Sequence, residues 1–236
     1  MGDSVIAGYA GGERGAWEAA REGAAVVVVD AFRASTTIAV LVRKGARVIP
    51  VVSIEEAAAY ARADYRIGER GSAKVPGFDF GNSPVEIEAA DLPPGATVVL
   101  STTNGTRIIE ATRGAAEILA GAFVNAHAVA DELATGAYGE RIAVVGCGWE
   151  GRRASEDESA AGAVLYRLRE RGVGLDERAR RVVDLYLARP EESLRRNTAA
   201  RRLARLGYER DLDFCLAENT VPVVPRFEGG AFVGRR

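Results

Sequence analysis

Apolar residues in this chain fall in short continuous runs, separated by stretches with helical spacing. Val26-Val27-Val28-Val29 offers no polar face and predicts a strand buried on both sides. Ile38, Ala39, Leu41 and Val42 follow at helical spacing, and Gly45 is placed to end that helix. Val48 to Val52 predicts another strand, with Pro50 marking it as an edge strand or a strand end. Residues 5–9 predict a short edge strand, and Glu13–Glu22 an amphipathic helix with Trp17 on its buried side. Ser53 and Glu56 form a capping box for a helix through Ala63. Thr97–Leu100, Leu119–Val124 and Ile142–Val145 repeat the strand signal. Helices are expected at Arg107–Thr112, after Asn125 through Leu133, and from a Ser155–Glu158 capping box to about Arg171. The remainder is helical and arginine-rich to Leu206, and Val221–Pro225 reads as an extended tail.

Strands alternating with helices at this spacing predict an α/β fold, a layered α/β/α arrangement on a largely parallel or mixed sheet. No repeat or low-complexity tract divides the chain, so 1–236 reads as one domain. A helical C-terminal subdomain from about residue 176 is the one candidate subdivision. Periodicity disappears from Tyr65 to Pro94, where aromatics alternate with Gly, Asp and Asn. A structureless loop of about 20 residues is uncommon in a compact domain unless it serves a function. This one is expected to fold back onto the protein.

Composition narrows the function classes. The net charge of -2 argues against a nucleic-acid or anionic-membrane surface. No apolar run approaches the ~20 residues needed to span a bilayer, and no signal-type leader is seen, so a cytoplasmic location is expected. Two cysteines, Cys147 and Cys215, make no disulfide framework. With His127 as the only histidine, a multi-histidine metal site is excluded, and no Gly-x-Ser-x-Gly elbow exists for a serine triad. Neither Lys44 nor Lys74 follows a glycine-rich loop, so there is no P-loop.

Chemistry concentrates where strands end. Asp30, Arg33, Ser35, Thr36 and Thr37 follow the valine run at a helix start, where a carboxylate, a guanidinium and free N–H groups suit an anion and a hard cation. Ser101 to Thr106 repeats the strand, hydroxyl turn and helix. Asp30, Glu69, Asp79 and Asp157 are hard oxygen donors suited to Mg2+, and Arg33 and Arg70 could fork onto anionic groups. The aspartyl-phosphate pattern Asp-x-Asp is broken by Phe32. Gly146-Cys147-Gly148-Trp149-Glu150-Gly151 spells a dinucleotide fingerprint, but the helix opens only at Ser155. Cys147 and Arg153 have the spacing of cysteine-dependent phosphatases without the preceding histidine.

Asp30 to Thr37, Gly68-Glu69-Arg70-Gly71, the Gly77–Pro84 string GFDFGNSP and Thr102-Thr103-Asn104-Gly105-Thr106 together resemble the 2-phosphosulfolactate phosphatase (ComB) family. Asn125-Ala126, Cys147-Gly148, Glu156-Asp157, Asp211-Leu212-Asp213 and Val221-Pro222 extend the resemblance in order from about residue 24 onward. It implies a Mg2+-dependent phosphoric monoester hydrolase that converts 2-phosphosulfolactate to 3-sulfolactate and phosphate, in coenzyme M biosynthesis or related sulfonate metabolism. On that reading Asp30, Arg33 and Asp79 are catalytic, and Asp30, Glu69, Asp79 and Asp157 hold the metal. Substrate contacts fall to Arg33, Ser35, Thr36, Arg70, Asn82, Ser83, Thr102, Thr103, Asn104, Gly105, Thr106 and Asn125. The expected partner is a small anionic substrate, with no nucleic acid or membrane, and assembly as a homodimer is left open. The alternatives are a different 2-phospho acid as substrate, or a non-catalytic binding protein for a small phosphorylated or sulfonated acid.

Overall fold

The valine run makes up all but the first residue of a central strand, and its alternation splits the core in two. Val27 and Val29 pack into one hydrophobic layer with Val144, Leu165 and Leu168, while Val26 and Val28 pack into the other with Ile38, Leu41 and Val145. All five residues of this strand are buried, which is why it carries no polar alternation. Each such side chain taken from water contributes roughly 1.5–3 kcal/mol.

The computed structural model describes residues 5–234. Its first half contains β1 (Ile6–Gly11), α1 (Gly12–Arg21), β2 (Ala25–Val29), α2 (Ala34–Arg43), β3 (Arg47–Pro50) and α3 (Ile54–Ala59). These lead to β4 (Tyr65–Arg70), β5 (Ala73–Lys74), α4 (Pro84–Ala89), β6 (Thr97–Ser101) and α5 (Gly105–Ala111). Then come β7 (Glu117–Gly121), α6 (Ala126–Leu133), β8 (Arg141–Gly146), α7 (Ser155–Glu170) and β9 (Gly174–Leu175). Helices α8 (Glu177–Ala188), α9 (Glu191–Arg195), α10 (Thr198–Arg205) and α11 (Glu209–Leu216) precede β10 (Arg226–Glu228) and β11 (Ala231–Val233).

The strands form one mixed sheet in the order β5-β4-β6-β3-β11-β10-β7-β2-β8-β1-β9. Strands β4, β6 and β3 run parallel, as do β7, β2, β8, β1 and β9. Between these two parallel blocks sits the β10–β11 hairpin, antiparallel to both, with Phe232 opposite Val48 and Arg226 opposite Leu119. The α/β layering follows the expectation from the sequence, but this hairpin does not show in it, because strands of three residues are too short to establish a period.

Other differences have local causes. Trp17 is 51% exposed, because alanines Ala16, Ala19 and Ala20 form the face that α1 lays on the sheet; Arg21 covers the indole instead, 4.6 Å from its centre. Pro50 ends β3, a strand paired on both sides through β6 and β11. Ser53 caps α3 by accepting from the Glu56 N–H at 3.0 Å, but that helix stops at Ala59. Ser155 lies inside α7, one residue past the cap position at Ala154, and its Oγ accepts from Asn197 at 3.1 Å. The long aperiodic segment contains β4, β5 and α4, with Phe78 packed on Val75 and Val99. Among the described residues no helix is long and apolar enough to cross a membrane.

Candidate active site

Carboxyl ends of strands from both blocks supply one small cavity of about 20 Å³, close to the volume of a single water. Asp30 follows β2, Glu69 lies near the end of β4, Asn104 precedes α5, and Gly148 and Trp149 follow β8. Asn82, Glu156, Asp157, Ser72, Arg33 and Arg202 complete the lining with Phe32.

Asp30 is held at its start by a local network. Its backbone N–H donates to Ser35 Oγ at 3.0 Å, and its Oδ1 accepts from the Ala34 N–H at 3.2 Å. Gly105 leaves room for the other oxygen: a Cβ there would lie 2.9 Å from Asp30 Oδ2 and 2.9 Å from the Ala34 methyl. Burial, and then the neighbouring Glu69 and Glu156 charges, push the Asp30 carboxyl up to about 7 against the counter-effects of the Ala34 N–H and Arg33. Burial also raises Glu156, whose Oε2 accepts from Asn197 at 2.7 Å. The cavity therefore concentrates more negative charge than its cations neutralise.

The other carboxylates are committed to backbone. Asp157 accepts from the Ala31 and Gly148 N–H groups, both at 2.8 Å, and so pins the β2 and β8 loops together. Burial and the Asp30 charge raise it as well, although both backbone donors act in the opposite direction. Glu69 accepts from the Ser72 N–H and the Thr103 N–H, each at 2.6 Å, and from Thr103 Oγ1 at 3.1 Å. Among the described residues no three His, Cys, Asp or Glu side chains converge as a ligand set. Asp79 lies elsewhere, exposed, accepting from the Arg66 N–H at 2.7 Å.

The two arginines of the cavity differ in availability. Arg33 is 2% exposed, donates to Asp211 at 2.6 Å and to the Ser72 carbonyl at 2.8 Å, and stacks 4.3 Å over Tyr208. Its guanidinium ties α11 to the loop after β4. Arg202 donates only Nε, to Ser72 Oγ at 2.9 Å, while its guanidinium lies 3.6 Å over the Trp149 ring. The rest of its fork has no protein acceptor among the described residues. Asn82 is 3% exposed and its Oδ1 is a buried acceptor without a donor, an expensive state unless something else fills it.

Most of the expected hydroxyls serve the backbone. Ser35 donates to the Val28 carbonyl and Thr36 to the Ala31 carbonyl; Thr102 accepts from the Thr106 N–H, and Thr106 donates to the Thr102 carbonyl. Ser83 caps α4 and donates to Asp211 at 2.7 Å. Arg70 donates to the Glu69 and Val52 carbonyls and to Ser101, and Asn125 bridges Ala120, Ala122 and Val223. Thus Asp30, Arg33, Glu69, Asn82, Asn104 and Asp157 meet at the cavity, whereas Arg70, Asp79 and Asn125 do not.

Sequence reasoning passed over Glu156, Trp149, Ser72 and Arg202. Glu156 was absorbed into a capping box, and Arg202 stands among so many arginines that it carries no signal. Cys147 is buried, and burial followed by the Asp30 and Asp157 charges pushes its thiol well up, which disfavours the thiolate a nucleophile needs.

Residues 15–230 match the family model described as 2-phosphosulpholactate phosphatase. A "Probable 2-phosphosulfolactate phosphatase" of Thermotoga petrophila is 40% identical over 210 residues, covering 88% of this chain and 90% of that protein. Proteins of the same name from Carboxydothermus hydrogenoformans (91% of this chain, 90% of that protein) and Gloeobacter violaceus (85% and 86%) are 39% and 38% identical. With the match spanning both parallel blocks and every residue lining the cavity, the chain belongs to the 2-phosphosulfolactate phosphatase family.

Proposed function

We infer that the protein hydrolyses 2-phosphosulfolactate to 3-sulfolactate and inorganic phosphate with Mg2+, in coenzyme M biosynthesis or related sulfonate metabolism. The observation that carries this reading is the Asp30 cavity in a chain that matches this family over nearly its whole length. Support for a cation comes from the cavity itself. A carboxyl raised by burial and then by neighbouring carboxylates, and an orphaned buried amide oxygen, Asn82 Oδ1, are the groups a hard cation would satisfy. Asp30, Asn82 and Glu156 would hold it, with water filling the other positions. Bound there, the ion would neutralise phosphoryl oxygens and lower the pKa of a bound water.

The chain's own residues do the rest. Arg202 presents its unbonded guanidinium N–H groups to phosphoryl oxygens, held in place by the Trp149 face and Ser72. Arg33, engaged with the Ser72 carbonyl and Asp211, positions the Ser72 turn rather than touching substrate. Asp30, with a carboxyl that titrates near neutral pH, accepts or holds a proton at Oδ2 beside Gly105. Asp157 fixes the Gly148 side of the cavity through its two backbone bonds.

The test is phosphate release from a panel of 2-phospho acids, with Mg2+ and with excess EDTA. Release from 2-phosphosulfolactate that stops in EDTA and returns with Mg2+ is the expected result. Unchanged release in EDTA removes the metal, and turnover of another 2-phospho acid alone moves the substrate. Cys147→Ala is expected to keep its activity, and its loss would reinstate a thiol route.

A further inference from the structure

The cavity at Asp30 has room for about one water-sized particle, and four carboxylates line it. It is too small and too negative to take a whole organic polyanion. A second cavity, of about 440 Å³, shares Gly148 and Asp157 with it. That volume is in the range of small-molecule sites. Arg152, Arg153, Arg178 and Arg181 line it, against the single carboxylate of Asp157, whose oxygens already accept two backbone N–H groups.

The four arginines are not equally engaged. Arg153 is paired with Glu158 at 2.5 Å, and Arg181 with Glu177. The side chains of Arg152 and Arg178 have no hydrogen-bond or ion-pair partner among the described residues. Arg152 is brought there by a tight turn, in which the Trp149 and Arg152 backbones exchange two hydrogen bonds of 2.9 Å. Gly148, at φ +71°, makes that turn possible, since a Cβ would lie 2.3 Å from the Arg152 carbonyl oxygen. The same short segment therefore walls the acidic cavity with Trp149 and arms the basic one with Arg152. A larger groove along β1, about 620 Å³, shares Tyr9 and Arg178 with this pocket and adds Arg141, but Glu18, Glu22, Glu140 and Asp176 line it as well, so it offers an anion less.

We propose that this arginine-lined pocket binds the sulfonate-bearing end of the substrate, leaving its phosphoryl group to meet Asp30 and Arg202 beside Gly148. The inference rests on the phosphatase reading above. A sulfonate presents three weakly basic oxygens and stays ionised at any working pH, so it gains from forked guanidinium donors and cannot escape repulsion by protonation.

The experiment compares 2-phosphosulfolactate with 2-phospholactate, which lacks the sulfonate, in the wild type and in Arg152→Ala/Arg178→Ala. The wild type is expected to favour the sulfonated substrate in kcat/KM, and the double variant to lose about tenfold or more of that preference through KM. Leu185→Glu, which adds a negative charge at the pocket wall, is expected to lower the preference in the same direction. A preference unchanged in both variants overturns the proposal. Calorimetric titration with 3-sulfolactate reads the pocket without turnover: weaker binding by the double variant supports it, and equal binding, or none by the wild type, overturns it. A wild type that releases no phosphate from 2-phosphosulfolactate refutes the functional reading instead, and the titration still decides the pocket.

Discussion

The turn after β2 and the turn after β6 share an apolar strand, a run of hydroxyls and a helix start, yet they contribute differently. In the first, the hydroxyls of Ser35 and Thr36 brace the backbone so that the Asp30 carboxylate can face the cavity. In the second, Thr102 and Thr106 bond each other's backbone, and Gly105 contributes by having no side chain where Asp30 Oδ2 needs the space. One turn presents a reactive group and the other clears room for it. Hydroxyl-rich turns at helix starts thus fall into two kinds that only three-dimensional neighbours separate.

The sharpest way to break this comparison is Asp30→Asn. It is expected to lower kcat by about 100-fold or more while circular dichroism stays native, because a charge and a proton acceptor are lost from the reacting site. Activity within a few-fold of wild type would remove Asp30 from the chemistry. Arg202→Ala comes next, with an expected loss of about 10- to 100-fold in kcat/KM for one charge-assisted contact. If Arg33→Lys costs activity only in proportion to lost stability while Arg202→Lys costs it directly, the division between positioning and contacting arginines holds.

A pH series sharpens the comparison further. The folded Asp30 carboxyl titrates near 7, above its ordinary value, so the folded protein binds a proton that the unfolded chain has released. The resulting stability is complete below about pH 4 and is lost as pH rises through 7. In metal-free protein, Asp30→Asn is therefore expected to gain stability over wild type by about 2 kcal/mol at pH 8, and by little at pH 4. A gain independent of pH, read from thermal unfolding, would contradict the charge crowding. The smallest effect belongs to the second turn. Thr102→Val removes the bond to the Thr106 N–H and should cost about 1 kcal/mol of stability, with activity little changed.

Periodicity made the layers legible, since runs such as Val26–Val29 and Ile142–Val145 bury both faces of a strand and leave little else they could be. It failed between Tyr65 and Pro94, where β4 through Arg70 ends in the polar string Gly68-Glu69-Arg70, so the strand resembles loop chemistry. The cavity was half legible. Asp30, Glu69, Asn82 and Asn104 lie in polar strings that draw attention, and they do meet. Asp79 stood out for the same reason but caps the start of β4, because a carboxylate after a glycine turn satisfies a nearby N–H as readily as it binds a ligand. Arg202 was invisible: it sits on an amphipathic helix with two other arginines, and only the docking of α10 on the β4 turn brings it to Ser72.

The hairpin at Arg226–Val233 has a consequence for how the chain comes into being. Every other strand is made before it, yet the two parallel blocks join into one sheet only through it. On a translating ribosome each block can gather its own helices early, but the continuous sheet cannot close until these residues emerge. Such late, long-range pairing slows folding and leaves two strand edges, β3 and β7, open to solvent in the meantime. A nascent chain stalled before Arg226 would therefore be the form most exposed to edge-to-edge association, and the one for which a chaperone matters most.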